Sequence, residues 1–184
     1  MPLNEGWRLP VRQLGSSGLT LFVAREDQAA AFVDGHGKLD APRSTVVSLK
    51  EAHVCTVCSR PGHYSVLVPM LGAGSPFSGL YTFGGNPVLV ELALGRYDAV
   101  FQPDAQLAGD SQDLWDWLPG VHIAWRAGCT ILDLFGAPVD VVGAAERSLA
   151  QGVSDFSYVA AVNGQLADAL HGWMTIASTR SLSE

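Results

Sequence analysis

Glu91-Leu92-Ala93-Leu94-Gly95-Arg96-Tyr97-Asp98, Asp113-Leu114-Trp115-Asp116 and Gly128-Cys129-Thr130-Ile131-Leu132-Asp133-Leu134-Phe135-Gly136 are the segments on which the reading of the chain turns. All three lie between Leu80 and Val139. Leu80-Tyr81-Thr82-Phe83 reads as a short strand. Asn86 is a good N-cap and Pro87 a good first helical residue, so a helix is predicted through Val88, Glu91, Leu92 and Leu94, stopped by Gly95. Tyr97 to Phe101 continues as a strand. Asp116 is expected to cap a second helix, with Trp117 as its first residue and Pro119 in its first turn, where a missing amide costs nothing. Val121, Ala124 and Trp125 keep helical spacing until Gly128. Thr130 to Leu134 is a strand, and Phe135 to Pro138 a turn.

On the N-terminal side, Trp7 to Val11, Leu19 to Ala24 and Ala29 to Val33 read as strands separated by Gly15-Ser16-Ser17-Gly18 and Arg25-Glu26-Asp27-Gln28. Ser44 to Leu49 is expected to form a short strand and Ala52 to Ser59 a better one, closed by Ser59-Arg60-Pro61-Gly62-His63. Tyr64 to Leu71 is apolar and reads either as a helix holding Pro69 or as an irregular segment. Gly72-Ala73-Gly74-Ser75-Pro76 lacks the lysine and hydroxyl residue that end a phosphate-binding loop, which argues against nucleotide binding. Towards the C-terminus, Ala144 to Ala150 has helical character and Tyr158 to Val162 is a last strand. Asn163 is expected to cap a helix over Gln165 to Met174. One domain over 1–176 and a frayed tail over 177–184 follow.

The composition sets limits on function. Of 184 residues, 48% are hydrophobic and 16% charged, enough for a core and for surface buried against another chain. The net charge of −7 argues against nucleic acid, which needs a basic face. No run of about 18 apolar residues suggests a membrane span. The N-terminus lacks a secretory pattern, so a cytoplasmic protein is expected. Cys55 and Cys58 form a single Cys-x-x-Cys, with His53 and His63 nearby. Buried reduced thiols are the favoured reading, with metal or redox chemistry as the alternative. Cys129 reads as a core residue.

The segment from about Leu80 to Pro138 resembles the C-terminal half of the inositol monophosphatase family. Trp115, Asp116 and Gly120 match that family's tryptophan–aspartate–small–small–glycine motif, with Leu118 and Pro119 in place of its small residues. Phe83-Gly84-Gly85-Asn86 stands where the family opens a helix beside its substrate. Ser59-Arg60 is a further weak match. The resemblance implies an α/β fold, a layered sheet-and-helix arrangement in truncated form. It also implies a role in metal binding for the motif aspartate. The family draws its other carboxylates from a glutamate pair and an aspartate-proline-x-aspartate-glycine-threonine motif, and this chain contains neither.

Three functions stay open on this reading. The first is a repurposed, metal-independent protein whose pocket binds or transforms a small molecule. The second is one half of a split magnesium-dependent sugar- or inositol-phosphate phosphatase, in which magnesium is the cofactor and a partner chain completes the site. The third is a non-catalytic structural or regulatory subunit. Asp116, Asp113 and His63 are the expected catalytic groups. Gly84, Gly85, Asn86, Trp115 and Trp117 are expected to line the substrate site. Sheet edges left bare by the absent half of the fold predict a homodimer or a complex with a partner subunit.

Overall fold

The computed structural model describes residues 7–12, 19–25, 28–34, 37–39, 44–58, 61–72, 74–83, 87–102, 114–151 and 157–181. Two sheets are present. Four antiparallel strands, β1 (Trp7–Arg12), β2 (Leu19–Arg25), β3 (Gln28–Asp34) and β4 (Gly37–Leu39), pair in sequence order. The three expected N-terminal strands are thus present, and β4 adds a short fourth. The second sheet contains β5 (His53–Val57), β6 (Gly79–Phe83), β7 (Ala99–Phe101), β8 (Thr130–Leu132) and β9 (Val159–Ala161), in the order β6-β5-β7-β9-β8. β6 and β7 run parallel to β5, whereas β9 is antiparallel to both β7 and β8.

Helices cover both faces of the second sheet, and alternation along its strands decides which residue meets which layer. Cys55, Val57, Val100 and Ile131 face one core with residues of α2 (Pro87–Ala93), α3 (Leu114–Arg126) and α4 (Val141–Gln151). Val54, Ala99, Phe101 and Leu132 face a second core, filled by α1 (Pro61–Gly72) and α5 (Gly164–Ser181). α3 also packs on β1, β2 and β3, so it lies between the two sheets. The result is a layered α/β fold, as expected.

Helix ends follow their sequence signals with some shifts. Gly128 has φ +89°, and the Cys129 amide donates to the Ala124 carbonyl at 3.0 Å, which closes α3 in a left-handed cap. The Arg96 amide closes α2 on the Glu91 carbonyl in the same way, at 3.0 Å. Asn163 caps α5 as expected, its Oδ1 accepting the Leu166 amide at 2.9 Å. α5 does not fray at 177: Ala177 is 2% exposed in the second core, and the helix continues through Ser181. α4 is longer than expected because Asp140 caps it, accepting the Gly143 amide at 3.0 Å.

Two expectations fail outright. Residues 44–48 form no strand. Side chains pin them instead, with Ser44 Oγ donating to Asp98 and Asn163 Nδ2 donating to the Val46 carbonyl at 2.9 Å. α3 starts at Leu114, so Asp116 is its third residue rather than its cap and Pro119 its sixth. In that interior position Pro119 removes the amide that the Trp115 carbonyl takes in a regular helix, so the proline is not free of cost there. Asp116 still complements the helix dipole from the first turn.

Candidate functional site

Because β5, β6 and β7 are parallel, their C-terminal ends share one edge of the sheet. α1 leaves that edge from β5 and packs on the second core, whereas α2 leaves it from β6 and packs on the first. Connections that diverge to opposite faces leave a crevice beyond the strand ends, the usual ligand position in open α/β sheets. α3, which follows β7, begins at the same edge on the face of α2.

In the sequence, the expected site residues follow β5 or β6 or fall at the start of α3. Gly84, Gly85 and Asn86 join β6 to α2, and Asp113 immediately precedes α3; these four lie outside the described residues. Trp115 and Asp116 stand in the first turn of α3, and Asp116 is exposed. Trp117 is 1% exposed and packs in the first core with Leu118, Val121 and Ala124. Its indole is buried among these residues rather than exposed at the strand ends. His63 is not in a turn but in the first turn of α1, where it is fully buried. α1 and α3 cover opposite faces of the sheet, so His63 and Asp116 are not brought together as an acid–base pair.

Gln102 was not anticipated. Its amide donates to the Tyr158 carbonyl at 2.9 Å, so it extends β7 by one pairing at the crevice edge. Its side chain is 1% exposed, and its Nε2 has no hydrogen-bond partner among the described residues. Alternation along β7 places Gln102 on the same face as Val100, the face of α2 and α3. Thr56 Oγ1 is likewise buried without a partner among the described residues, but alternation puts it on the face of α1. The signal in the sequence was an amide directly after the apolar run Ala99-Val100-Phe101.

The cysteines do not form a reactive pair. Cys55 and Cys58 are free and buried in opposite cores, Cys55 with α2 and α3 and Cys58 with α1 and α5. Burial pushes the Cys55 thiol up to about 12, and a backbone hydrogen bond with Thr56 offsets only part of that. Burial also raises Cys58, against the hydrogen bond from Tyr64. Burial raises the Tyr158 phenol, and nearby Cys55 adds to the effect. These groups are therefore neutral near pH 7 and serve packing.

A magnesium ion takes about six oxygen ligands in near-octahedral geometry. Asp116 is one carboxylate, and no three His, Cys, Asp or Glu side chains converge among the described residues. The described residues do not by themselves fit a magnesium centre.

Comparison of the backbone with solved structures gives the fold its name. Mycobacterium tuberculosis SuhB superposes with a TM-score of 0.62 at 21% identity, covering 86% of this chain and 54% of that one. The fold is that of the inositol monophosphatases. The inositol monophosphatase of Thermotoga maritima gives a TM-score of 0.62 at 15% identity, over 88% and 54% of the two chains. Staphylococcus aureus inositol monophosphatase II, with inositol monophosphate bound, gives 0.59 at 14%, over 90% and 59%. The chain thus spans a little over half the length of these inositol monophosphatase structures. No family model and no curated relative matches the sequence. Among the described residues no helix is long and apolar enough to cross a membrane.

Proposed function

We propose that the protein binds a small polar molecule at the edge formed by the ends of β5, β6 and β7, using its own residues and no resident metal. The observation that supports this most is the buried Gln102 amide. A buried donor without a partner costs about 1–3 kcal/mol, and a bound molecule is one way to recover it. The exposed carboxylate of Asp116, in the first turn of α3, is an acceptor suited to hydroxyl donors. A polyol or its phosphate presents such hydroxyls. Inositol monophosphate, bound in the Staphylococcus aureus structure of the same fold, is therefore the first probe.

The test is isothermal titration of the purified protein with inositol, inositol monophosphate and sugar phosphates in the presence of a chelator. Binding that weakens at least tenfold in Gln102→Leu is the expected result. Failure of the whole panel to bind overturns the proposal and favours a non-catalytic subunit. Release of phosphate that needs magnesium and disappears in Asp116→Ala overturns the metal-independent reading.

One observation favours a second reading. Because the chain spans a little over half of the structures it matches, a partner polypeptide bearing the absent acidic motifs is a coherent way to complete a split phosphatase. Co-purification with such a chain and magnesium-dependent hydrolysis by the complex alone would establish it.

A further inference from the structure

The topology separates charge of the two signs along the face of the sheet that carries α2, α3 and α4. β9 is antiparallel to both β7 and β8, so β8 runs parallel to β7 and starts at the edge opposite the strand-end crevice. α3 ends at Arg126, just before β8 begins. Its 13 residues make a helix about 20 Å long. A helix that ends beside the start of β8 and packs along the sheet therefore reaches back to the crevice edge with its first turn, which carries the exposed carboxylate of Asp116.

The described basic residues of these helices and their connections are directed away from that edge. Arg96 precedes β7 at the opposite edge and is paired with Glu91 at 2.6 Å. Arg126 is the last residue of α3, and its guanidinium lies 5.3 Å from the centre of the Trp125 ring. Arg147 reaches back to the start of α4: its Nη1 lies 3.2 Å from where a Cβ on Gly143 would stand, a position the Asp140 carboxylate also crowds. The chain arrives at Asp140 by running back alongside β8, with the Val139 amide donating to the Ile131 carbonyl at 3.0 Å, so α4 also starts at the opposite edge. In the sequence, the connections that follow β5, β6 and β7 contain Asp104, Asp110 and Asp113 against one basic residue, Arg60.

We infer that the ligand of this site is a cationic polyol, an amino sugar or amino cyclitol, whose ammonium pairs with Asp116 and one of whose hydroxyl oxygens accepts from Gln102 Nε2. The inference rests on the binding site proposed above and names its ligand class. The independent sign of a ligand is the Gln102 amide, 1% exposed and without a partner among the described residues. Nε2 only donates, so it requires an acceptor oxygen; the carboxylate of Asp116 only accepts, and a cationic donor gives it the stronger hydrogen bond. A phosphate monoester carries a charge of about −1.5 to −2 at pH 7. Without a metal it meets Asp116 and the field of a chain of net charge −7, with the described bases of this face held elsewhere. A neutral polyol escapes that repulsion and forgoes the ion pair.

Titration calorimetry at low ionic strength, with a chelator and at slightly acidic pH so that the amine is protonated, compares glucosamine, glucose and glucose 6-phosphate. The three share one ring and differ in charge. Glucosamine is expected to bind about fivefold tighter than glucose, the upper range for an exposed ion pair, and glucose 6-phosphate more weakly than glucose. Asp116→Asn, a change at an exposed side chain, removes the advantage of glucosamine and leaves glucose affinity within about twofold. Gln102→Leu weakens both sugars alike. Equal affinity for glucosamine and glucose, tighter binding of the phosphate, or an amine preference that survives Asp116→Asn overturns this inference and leaves the binding site standing. Binding of inositol or a sugar phosphate with none of glucosamine does the same. Silence of every probe overturns the site itself and this inference with it.

Discussion

Asp98 and His53 exchange two hydrogen bonds that fix where β5 and β7 begin. Asp98 Oδ2 accepts the His53 amide at 2.8 Å, and the Asp98 amide donates to the His53 carbonyl at 2.9 Å. Ser44 Oγ donates to the other carboxylate oxygen, and the Asp98 carbonyl accepts the Val162 amide at 3.0 Å. One residue therefore ties the strap over 44–48, two parallel strands and the end of β9. Hydrogen bonds to a charged acceptor contribute about 1.5–3 kcal/mol each. Partial exposure of this cluster places the expected loss for Asp98→Ala near the lower end, at about 2 kcal/mol, measured by urea denaturation. Asp98→Asn keeps one acceptor oxygen and is expected to lose about half as much. A loss within about 0.5 kcal/mol for the alanine variant, typical of surface substitutions, would show that the cluster carries no stability.

Gln102→Leu is expected to behave in the opposite sense in the absence of ligand. The substitution removes a buried donor that no described residue satisfies, and leucine has nearly the same volume. Stability should be unchanged or higher by about 1 kcal/mol, because an unsatisfied buried amide is a cost. Thermal denaturation without ligand checks this. A loss of 2 kcal/mol or more would mean that the amide is already satisfied by the protein. That outcome would remove the main support for a ligand there.

The sequence carried the elements of the second sheet because their signals are local. Gly95 and Gly128 stop helices, Asn163 starts one, and the apolar runs at β5, β7 and β9 are short and clearly bounded. The resemblance carried by Trp115, Asp116 and Gly120 pointed to the fold that the backbone comparison then gave. Non-local features were hidden. Ser44 to Leu49 has strand-like composition, but its anchoring groups, Asp98 and Asn163, lie far along the chain. His63 looked like a turn residue because Pro61 and Gly62 precede it, yet proline is also well suited to the first turn of a helix. Gln102 could not be told from a surface glutamine until the pairing of β7 with β9 buried it. Cys55 and Cys58, close in sequence, fall in different cores.

The turn after β8 depends on a close approach between Gly136 and His171. Gly136 has φ +81°, and a Cβ there would lie 3.0 Å from Cε1 of the His171 ring. That ring is held by a hydrogen bond between its Nε2 and the Leu134 carbonyl at 2.9 Å. Gly136→Ala combines left-handed strain, about 1–2 kcal/mol, with displacement of the ring. A total loss of about 2–3 kcal/mol is expected in chemical denaturation. In the His171→Ala background the steric part is already gone, so Gly136→Ala should cost only the backbone strain. Equal costs in the two backgrounds would mean that the ring is not constrained by the glycine.

The buried thiol of Cys55 gives the fold a dependence on alkaline pH whose sign is fixed. Burial raises the thiol from 9.0 to about 12 in the folded chain. The unfolded chain therefore gives up this proton first, and between about pH 9 and 12 it binds fewer protons than the folded one. Stability linked to Cys55 is complete below pH 9 and falls as pH rises through that window. Tyr158, raised from 10.0 by burial in the same core, adds to the fall from about pH 10 upward. The urea midpoint is expected to drop between pH 8 and pH 10.5 and to drop less in Cys55→Ala, measured relative to that variant's own value at pH 8. Labelling gives a second readout: a thiol reagent at pH 8 should leave Cys55 unmodified in the folded protein and modify it fully in urea. Rapid modification of Cys55 under native conditions would show that the first core opens readily, and the predicted alkaline loss would then shrink with it.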